Sequence, residues 1–387
     1  MSLIHNPAIM KLSFAPLLIL LTPLASGQET RGVEDVFSPG FILEDRNQDG
    51  VIDFVNAELQ LGASPSTAVV AAASDVAARL GFETMAMNLP MTESRGGVPL
   101  SMGSPPAGVT LAPGEGLVTT TFADGRDQVQ VTGADDAGIR AAAAYLAGRA
   151  PHLWDPKGPT FSTVLQDLRN LLGFAPVSSR VVEVRVTSAS VSRLLVALEL
   201  ASRDEISRAR TALREGLAYQ GVARIFTRLS AAGSVVEVEV PRKPLSPESG
   251  AVPLRPGAEP KHDLDLSNLF TPDGLLGDSD QNMIADRIDA VLSPAGGYRG
   301  VVDLAARLGL ETAGVSIPIA RTPEEIEDGK EEPTLVLVGD HPLAPKSDAS
   351  LSPGDGSIRV VPGAFGEKPA LVVSGGDPPG VERALLQ

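Results

Sequence analysis

Apolar and polar positions follow two different periods along this chain, and the two periods alternate. Apolar residues recur with helical spacing over Thr67–Leu80, after Ser66 as a candidate N-cap and before Gly81 as a stop. The neighbouring stretches Asp53–Leu61 and Thr84–Leu89 have strand-like patterns. This alternation predicts an α/β layer in which helices pack on a sheet.

The same half of the chain continues with a loose stretch, rich in Gly, Ser and Pro, that reaches about Pro113. Two strands, Leu117–Phe122 and Gln128–Thr132, are predicted around a Gly-containing turn. An Ala-rich helix over Ala134–Ala147 follows. Farther along, Thr334–Gly339 is a continuous apolar run of the kind found in strands that are buried on both faces.

Four short blocks recur in the same order, so one structural unit is expected to be present twice. The matching blocks are 45–53 with 278–286, 77–84 with 305–312, 111–116 with 351–356, and 131–135 with 373–377. Such internal similarity is best found before any fold is assigned. The predicted fold class is α/β, with two repeated α/β sandwich-like units that flank a small α+β insert.

The insert differs in pattern from both repeats. Helices are predicted at 167–172 and 204–217, and strands at 181–187, 193–200, 222–229 and 234–240. The predicted organisation is a signal peptide at 1–27, a first repeat at 28–155, the α+β middle domain at 156–242, a Pro- and Gly-rich linker at 243–261 and a second repeat at 262–387. The last predicted helix is shorter than its counterpart, so we expect the second repeat to be truncated and the chain to belong to a longer protein.

The first residues have the features of an export signal. Lys11 provides a positive flank, Leu12–Leu24 is apolar but broken by prolines, and Ala25–Gly27 provides small residues for cleavage. An N-terminal membrane anchor is the alternative, although the run is short for a membrane span. The expected location is therefore secreted or periplasmic, and the absence of cysteine excludes a disulfide framework and thiol chemistry.

Composition narrows the classes of partner. The net charge of −16 repels nucleic-acid phosphates and anionic membrane surfaces, so nucleic-acid binding is not expected. No stretch after the signal region is apolar enough to cross a membrane, so no stable membrane span is expected either. Aromatic residues make up 4% of the chain, too few for a broad stacking surface. An acidic chain of this kind favours solubility and cation binding.

Two acidic loops carry the clearest chemical signal. Side-chain oxygens recur at positions 1, 3, 5 and 9 of a calcium-loop pattern, with Gly50 at the sharp turn of the first loop and Met283 in its place in the second. Position 12 is Asn56 instead of the usual Glu. A solvated acidic turn is the alternative to calcium binding. The candidate metal ligands are Asp45, Asn47, Asp49, Asp53, Asp278, Asp280, Asn282 and Asp286.

Other motifs leave the chemistry open. The Gly-Asp turns at 132–138 and 374–380 are typical either of an anion-binding helix start or of a tight strand-to-helix connection. His152 and His341 have no zinc spacing, and no Gly-x-Ser-x-Gly nucleophile turn is present. No catalytic residue and no organic cofactor site is therefore assigned.

The stretch Val129–Gly138, followed by Arg140 and a helix to Leu146, resembles the closing strand, turn and helix of N-terminal accessory α/β domains in carbohydrate-active enzymes of the α-glucuronidase and hexosaminidase type. It is also similar to a turn in periplasmic cellulose-synthase regulatory subunits. In the hydrolases this domain is non-catalytic and precedes a barrel. The resemblance implies a polysaccharide or a downstream catalytic domain as partner, and it assigns no catalytic residue.

Three functions remain as hypotheses. The preferred one is an exported, non-catalytic tandem module that serves as a binding or scaffold region and is stabilised by calcium. The alternative is a hydrolytic enzyme whose site lies between the repeats and uses acidic residues with His152 or His341. A third hypothesis is a cell-surface assembly protein, which large exposed apolar faces would indicate.

Overall fold

The fold is taken from a computed structural model that describes residues 31–148, 170–177, 179–187, 193–216, 224–230, 233–241, 264–346 and 350–387. The predicted signal peptide, the predicted linker and His152 lie outside the described residues.

The first repeat begins with a short hairpin and continues with four strands and two helices. Its elements are β1 (Leu43–Glu44), β2 (Phe54–Val55), β3 (Ala57–Gln60), α1 (Thr67–Phe82), β4 (Val98–Gly103), β5 (Glu115–Ala123), β6 (Arg126–Gly133) and α2 (Asp136–Ala147).

The middle segment and the second repeat complete the fold. The middle segment contains β7 (Ser179–Thr187), β8 (Arg193–Leu200), α3 (Ile206–Gly216), β9 (Arg224–Ser230) and β10 (Gly233–Pro241). The second repeat contains β11 (Leu276–Gly277), β12 (Arg287–Ile288), β13 (Ala290–Pro294), α4 (Gly300–Leu310), β14 (Thr334–Val338), β15 (Gly356–Phe365), β16 (Lys368–Gly375) and α5 (Pro378–Leu385).

The two repeats have the same topology. The strand order is β3-β4-β6-β5 in the first repeat and β13-β14-β16-β15 in the second. In both, the first three strands of this order run parallel, and the fourth is antiparallel to its neighbour. The predicted α/β fold with two repeated units is therefore confirmed.

The middle segment extends the sheet of the first repeat. β7 pairs with β5, and β8, β10 and β9 follow, so this sheet has eight strands. Ala209 and Leu213 of α3 belong to the same buried core as Val236 and Val238 of β10. The predicted α+β insert thus shares one continuous sheet with the first repeat. The domain boundaries proposed from the sequence remain predictions.

Two predictions in the first repeat are wrong. The segment Thr84–Leu89 is not a strand; it is an irregular connection that leads to a cis peptide bond before Pro90. Conversely, β4 lies within the stretch that was predicted to be a loop. Pro99, Ser101 and Gly103 are residues typical of loops, yet β4 lies between β3 and β6 because Leu100 and Met102 are buried in the core.

The repeats pack on each other through α1 and α4, which approach closely at two glycines. A Cβ atom at Gly81 would lie 2.1 Å from the carbonyl oxygen of Ala306, and one at Gly309 would lie 2.0 Å from that of Ala78. Gly81 corresponds to Gly309 in the repeat, and Ala78 corresponds to Ala306. Each helix therefore makes the same contact with the other, as in a two-fold symmetric interface.

Buried carboxylates reinforce these reciprocal contacts between the two repeats. Asp75 of α1 accepts hydrogen bonds from the backbone N–H groups of Ile319 (2.9 Å) and Ala320 (3.2 Å) in the second repeat. Asp303 of α4 accepts a hydrogen bond from the N–H of Met91 (2.7 Å) in the first repeat. Asp75 and Asp303 occupy equivalent positions. The donors Met91 and Ile319 are also equivalent, and each directly follows a cis proline.

The two carboxylates differ in their charged partners. Arg140 of α2 contacts Asp75 at 2.9 Å and also donates a hydrogen bond to the carbonyl of Ala320 (2.6 Å). The residue equivalent to Arg140 in the second repeat is Glu382, which accepts hydrogen bonds from the backbone of α4 instead. Asp303 therefore has no arginine in the place that Arg140 occupies beside Asp75.

We expect the stability contribution of Asp303 to depend on pH. Burial raises the pKa of Asp303 to about 6, with Glu382 and Glu93 acting in the same direction, while the Met91 N–H and Arg95 oppose it. Because the folded-state pKa lies above the unfolded value, the folded state gains stability from protonation below about pH 4 and loses it as the pH rises through 6. In the variant Asp303→Asn the asparagine cannot ionise. Its free energy of unfolding, measured relative to that of the native chain, should therefore increase by about 2 kcal/mol between pH 4.5 and 7.

Urea denaturation of both proteins at several pH values measures this difference. A difference that stays constant across this range would show that Asp303 titrates normally in the folded state.

None of the helices within the described ranges combines the length and the apolar character that a membrane crossing requires.

Candidate cation-binding loops

Each acidic loop connects the two strands of a short hairpin. The first loop joins β1 to β2, and the second joins β11 to β12. Each loop is closed at its base by one backbone hydrogen bond, from Asp53 to Glu44 (3.1 Å) and from Asp286 to Gly277 (2.8 Å). The two predicted sites thus occupy equivalent places in the two repeats.

The first loop is held by its own acidic side chains. Asp45 accepts hydrogen bonds from the N–H groups of Asp49 (3.2 Å) and Gly50 (2.8 Å), one on each carboxylate oxygen. The Asn47 oxygen also accepts from Asp49 (3.0 Å), and Asp53 accepts from the N–H of Arg46 (2.9 Å). These bonds fix the turn of the loop.

The second loop repeats the arrangement residue by residue. Asp278 accepts from the N–H groups of Asn282 (3.2 Å) and Met283 (2.6 Å). Asp280 also accepts from Asn282 (3.3 Å), and Asp286 accepts from the N–H of Ser279 (3.1 Å). Equivalent side chains therefore have equivalent acceptor roles in both loops.

The two loops differ at the sharp turn, where the backbone of the second loop is strained. Gly50 has a φ of 88°, in the left-handed region that glycine enters without steric cost. Its equivalent, Met283, has a φ of 72°, and its side chain is 90% exposed. The second loop therefore keeps the conformation of the first despite a residue that disfavours it.

The second loop brings three carboxylates together. One oxygen from each of Asp278, Asp280 and Asp286 lies within 4.8 Å of the others. Slight desolvation acts to raise the pKa of Asp278, but N–H donors led by Met283 and Asn282 outweigh it and hold this pKa below its usual value. An ionised carboxylate is the form that binds a cation.

The donor set fits a hard cation such as calcium. Carboxylate and amide oxygens at alternate positions of a tight loop are the ligands that calcium takes, and each carboxylate that accepts backbone hydrogen bonds keeps free lone pairs. Asn56, at the place of the usual bidentate Glu, donates a hydrogen bond to Glu44 (2.7 Å). Water would complete the coordination of the ion, and calcium sites that are completed by water bind weakly.

Both loops are tied to the helices of the repeat interface. The Thr84 hydroxyl lies 3.2 Å from the carbonyl oxygen of Ile52, at the end of the first loop, and 2.7 Å from that of Ala86. The equivalent Thr312 hydroxyl lies 3.1 Å from the carbonyl oxygen of Ala285. Since Thr84 and Thr312 lie two residues after the last residues of α1 and α4, ordering of the loops also restrains the helix ends.

The Gly-Asp turns are tight connections capped by their aspartates. Asp135 accepts from the N–H groups of Gly138 and Gly114, both at 2.8 Å, and these donors hold its pKa below the usual value. Asp377 accepts from Gly380 (2.9 Å) and Gly354 (2.8 Å). Because a carboxylate already occupies each helix N-terminus, these turns do not provide the anion site that was the alternative.

His341 does not have the geometry of a catalytic base. Its Nδ1 accepts a hydrogen bond from the N–H of Leu343 (3.1 Å), so the proton lies on Nε2, which is 2.8 Å from the Ser293 hydroxyl. A base for serine needs a free Nε2 and a carboxylate on Nδ1. Both side chains are buried, and burial lowers the His341 pKa to about 4. We therefore assign this pair a structural role.

Sequence reasoning missed the residues that join the repeats. Asp75 and Asp303 each precede the repeated Ala-Ala-Arg-Leu-Gly block by two residues, so the duplicated block was longer than the identical letters showed. A charged residue on the otherwise apolar face of a helix was the available signal, since such a group is buried only with a partner.

No protein-family model matches the chain, and a comparison with curated proteins finds no match.

Proposed function

We propose that this chain is an exported, non-catalytic tandem α/β module whose two acidic loops bind calcium, and that it serves as a binding or scaffold region. The main support is the shared hydrogen bonding of the loops, in which equivalent side chains accept from equivalent backbone N–H groups. In the second loop three carboxylates also meet within 4.8 Å. Export is supported by the N-terminal sequence, where Lys11 precedes the apolar run Leu12–Leu24.

Calcium should stabilise the fold. Loops with few carboxylates and incomplete protein ligation bind calcium in the range of 10⁻⁴–10⁻³ M that is typical of extracellular modules. At about thirty times the dissociation constant, one site adds about 2 kcal/mol to the free energy of unfolding. Thermal melting with increasing calcium, with magnesium as a comparison, measures this effect.

Single-residue variants separate the two loops. Asp45→Asn and Asp278→Asn should each remove the stabilisation that comes from one loop, whereas Asp265→Asn, at an exposed aspartate outside both loops, should leave it unchanged. Met283→Gly should raise the melting temperature both with and without calcium, because glycine adopts the required φ without cost whether or not an ion is bound. A melting temperature that does not change at millimolar calcium would refute the calcium proposal.

The proposed partner is a polysaccharide. The alternative partner is a carbohydrate-active catalytic domain that itself binds a polysaccharide. The polysaccharide proposal is supported by the face of the first sheet that points away from the helices, which carries amide and hydroxyl groups at least partly open to solvent. These are Gln60, Ser101, Thr119, Thr121, Gln128 and Gln130. The equivalent face of the second sheet is apolar, with Val291, Leu335 and Leu337 covered by Ile326 and Leu343.

Affinity electrophoresis through gels that contain a neutral polysaccharide tests this ligand class. The chain should be retarded, and Gln60→Leu together with Gln130→Leu should abolish most of the retardation because apolar groups cannot replace the lost hydrogen bonds. Gln387→Leu, the same change at an exposed position elsewhere, is the control. If the double variant and the control are retarded equally, this face does not bind the polysaccharide.

A further inference from the structure

The outer edge of β15 is the equivalent of an edge that is occupied in the first repeat. There, β5 pairs with β6 on one side and with β7 on the other, and residues Glu115–Thr119 lie antiparallel to Glu183–Thr187. In the second repeat β15 pairs with β16, and within the described ranges no strand lies on its other side. Most of Gly356–Val361 is partly exposed.

The occupied edge shows which residues an added strand needs on its inner face. Val184 lies opposite Val118, and Val186 lies opposite Gly116; both valines are buried in the core, on the side of the sheet that α2 covers. The equivalent residues of β15 are Ile358 and Gly356. Gly356 contacts α5, since a Cβ atom there would lie 2.8 Å from the Cβ of Ala384. Branched aliphatic side chains of an added strand would continue this apolar layer.

The other face of β15 carries an arginine that is incompletely paired among the described residues. Arg359 occupies the position of Thr119, which lies opposite Glu183 in the first repeat. Arg359 donates one hydrogen bond to the carbonyl of Pro345 (2.5 Å), but its buried Nε finds no acceptor within the part of the chain that the structure describes. A carboxylate on an added strand, at the place of Glu183, would complete the hydrogen bonding of this guanidinium.

The length of the β15 edge also matches that of the ladder between β5 and β7. The register of β15 on β16 is regular from Gly356 to Val361 and shifts before Phe365, where Pro362 and Gly363 interrupt the strand. Six residues are thus available, and the ladder between β5 and β7 uses five residue pairs. Proline beyond the edge limits pairing to this short stretch.

We propose that the outer edge of β15 accepts an extended strand from a partner polypeptide by antiparallel strand addition. The partner segment carries branched aliphatic residues opposite Gly356 and Ile358 and an acidic residue opposite Arg359. A second copy of this chain fits less well, because Gly356–Val361 has no acidic residue to place opposite Arg359 and the net charge of −16 opposes self-association.

The test uses a labelled peptide with the sequence of β7, Ser179–Thr187, because it already has the required pattern. Fluorescence anisotropy with the purified full chain should show saturable binding. Backbone N-methylation of the peptide, one residue at a time, should weaken binding at least tenfold at alternate residues only. Within Gly356–Val361, the alternate amides that point away from β16 should become protected from hydrogen exchange when the peptide is added.

A charge exchange tests the Arg359 contact separately. Replacing the glutamate of the peptide with lysine should weaken binding at least tenfold, and the variant Arg359→Glu should restore binding to the lysine peptide while it loses the original one. This reciprocal pattern does not arise from a general loss of folding.

Three results would overturn the proposal. These are the absence of binding at millimolar peptide, an N-methylation profile that does not alternate, and protection confined to the other sheet edge at Arg224–Ser230. A concentration-dependent dimer in sedimentation equilibrium, in which the amides of Gly356–Val361 that point away from β16 are protected before peptide is added, would make a second copy the occupant and would also contradict the proposal.

Discussion

The substitution Asp75→Asn should lower the free energy of unfolding by about 2 kcal/mol at pH 7, since it removes the buried partner of Arg140. The guanidinium keeps only the Ala320 carbonyl and a 3.6 Å contact with the partly exposed Glu325. The Asp75 side chain is 1% exposed and that of its partner, Arg140, is 13% exposed. Asparagine can still accept a hydrogen bond from Ile319 or Ala320. The loss of stability therefore comes mainly from the broken ion pair with Arg140. Urea denaturation at pH 7 measures it.

Asp303→Asn is the matched control, because it makes the same change at the equivalent position where no arginine takes the place of Arg140. It should cost less than 1 kcal/mol at pH 7 or stabilise the fold, since it removes a buried charge. The double variant Asp75→Asn, Arg140→Met should recover part of the loss. Equal costs for Asp75→Asn and Asp303→Asn would contradict the role assigned to Arg140.

The substitution Gly81→Ala should destabilise the fold by about 3 kcal/mol, although alanine is the better helix former. The added methyl would lie 2.1 Å from a backbone oxygen of α4, and a backbone atom cannot rotate away as a side chain could. The two helices would have to separate, which is an overpacking cost. Gly309→Ala should have a similar effect because it faces the equivalent backbone oxygen of Ala78.

Gly173→Ala provides the control. Gly173 lies in the helical segment 170–174, and a Cβ atom there would have no neighbour within 4 Å. The same substitution should therefore stabilise the protein by up to about 1 kcal/mol through helix propensity. Denaturation midpoints of the three variants make the comparison, and if Gly81→Ala and Gly173→Ala shift the midpoint in the same direction, the close crossing of α1 and α4 is wrong.

Much of the fold could be predicted from the sequence because the repeated blocks lie at structural positions that both copies need. The Thr67–Leu80 helix, the strands around the Gly-containing turn and the helix that follows them agree with local periodicity. β4 could not be predicted, since Val98–Gly103 contains proline, serine and glycine and becomes a strand through burial between two neighbours. Such a tertiary effect leaves no local signal.

The ligands of the candidate site stay a prediction from the spacing of the acidic residues. The structure brings together Asp278, Asp280 and Asp286 of the second loop. Nothing in the local pattern showed that Thr84 and Thr312 fasten the loops to α1 and α4, or that Asp75 reaches Ile319 in the other repeat. These contacts join residues that are far apart in sequence, so they depend on the complete fold.

The reciprocal packing of α1 and α4 has an evolutionary consequence. An ancestor with one copy would have needed two identical chains to bury this helix face, and every substitution would have changed both sides together. Within a single polypeptide the second half is always present, whatever the protein concentration, and each half can change alone. Arg140 in one half and Glu382 in the other record such independent change: one neutralises a carboxylate, while the other binds the start of α4.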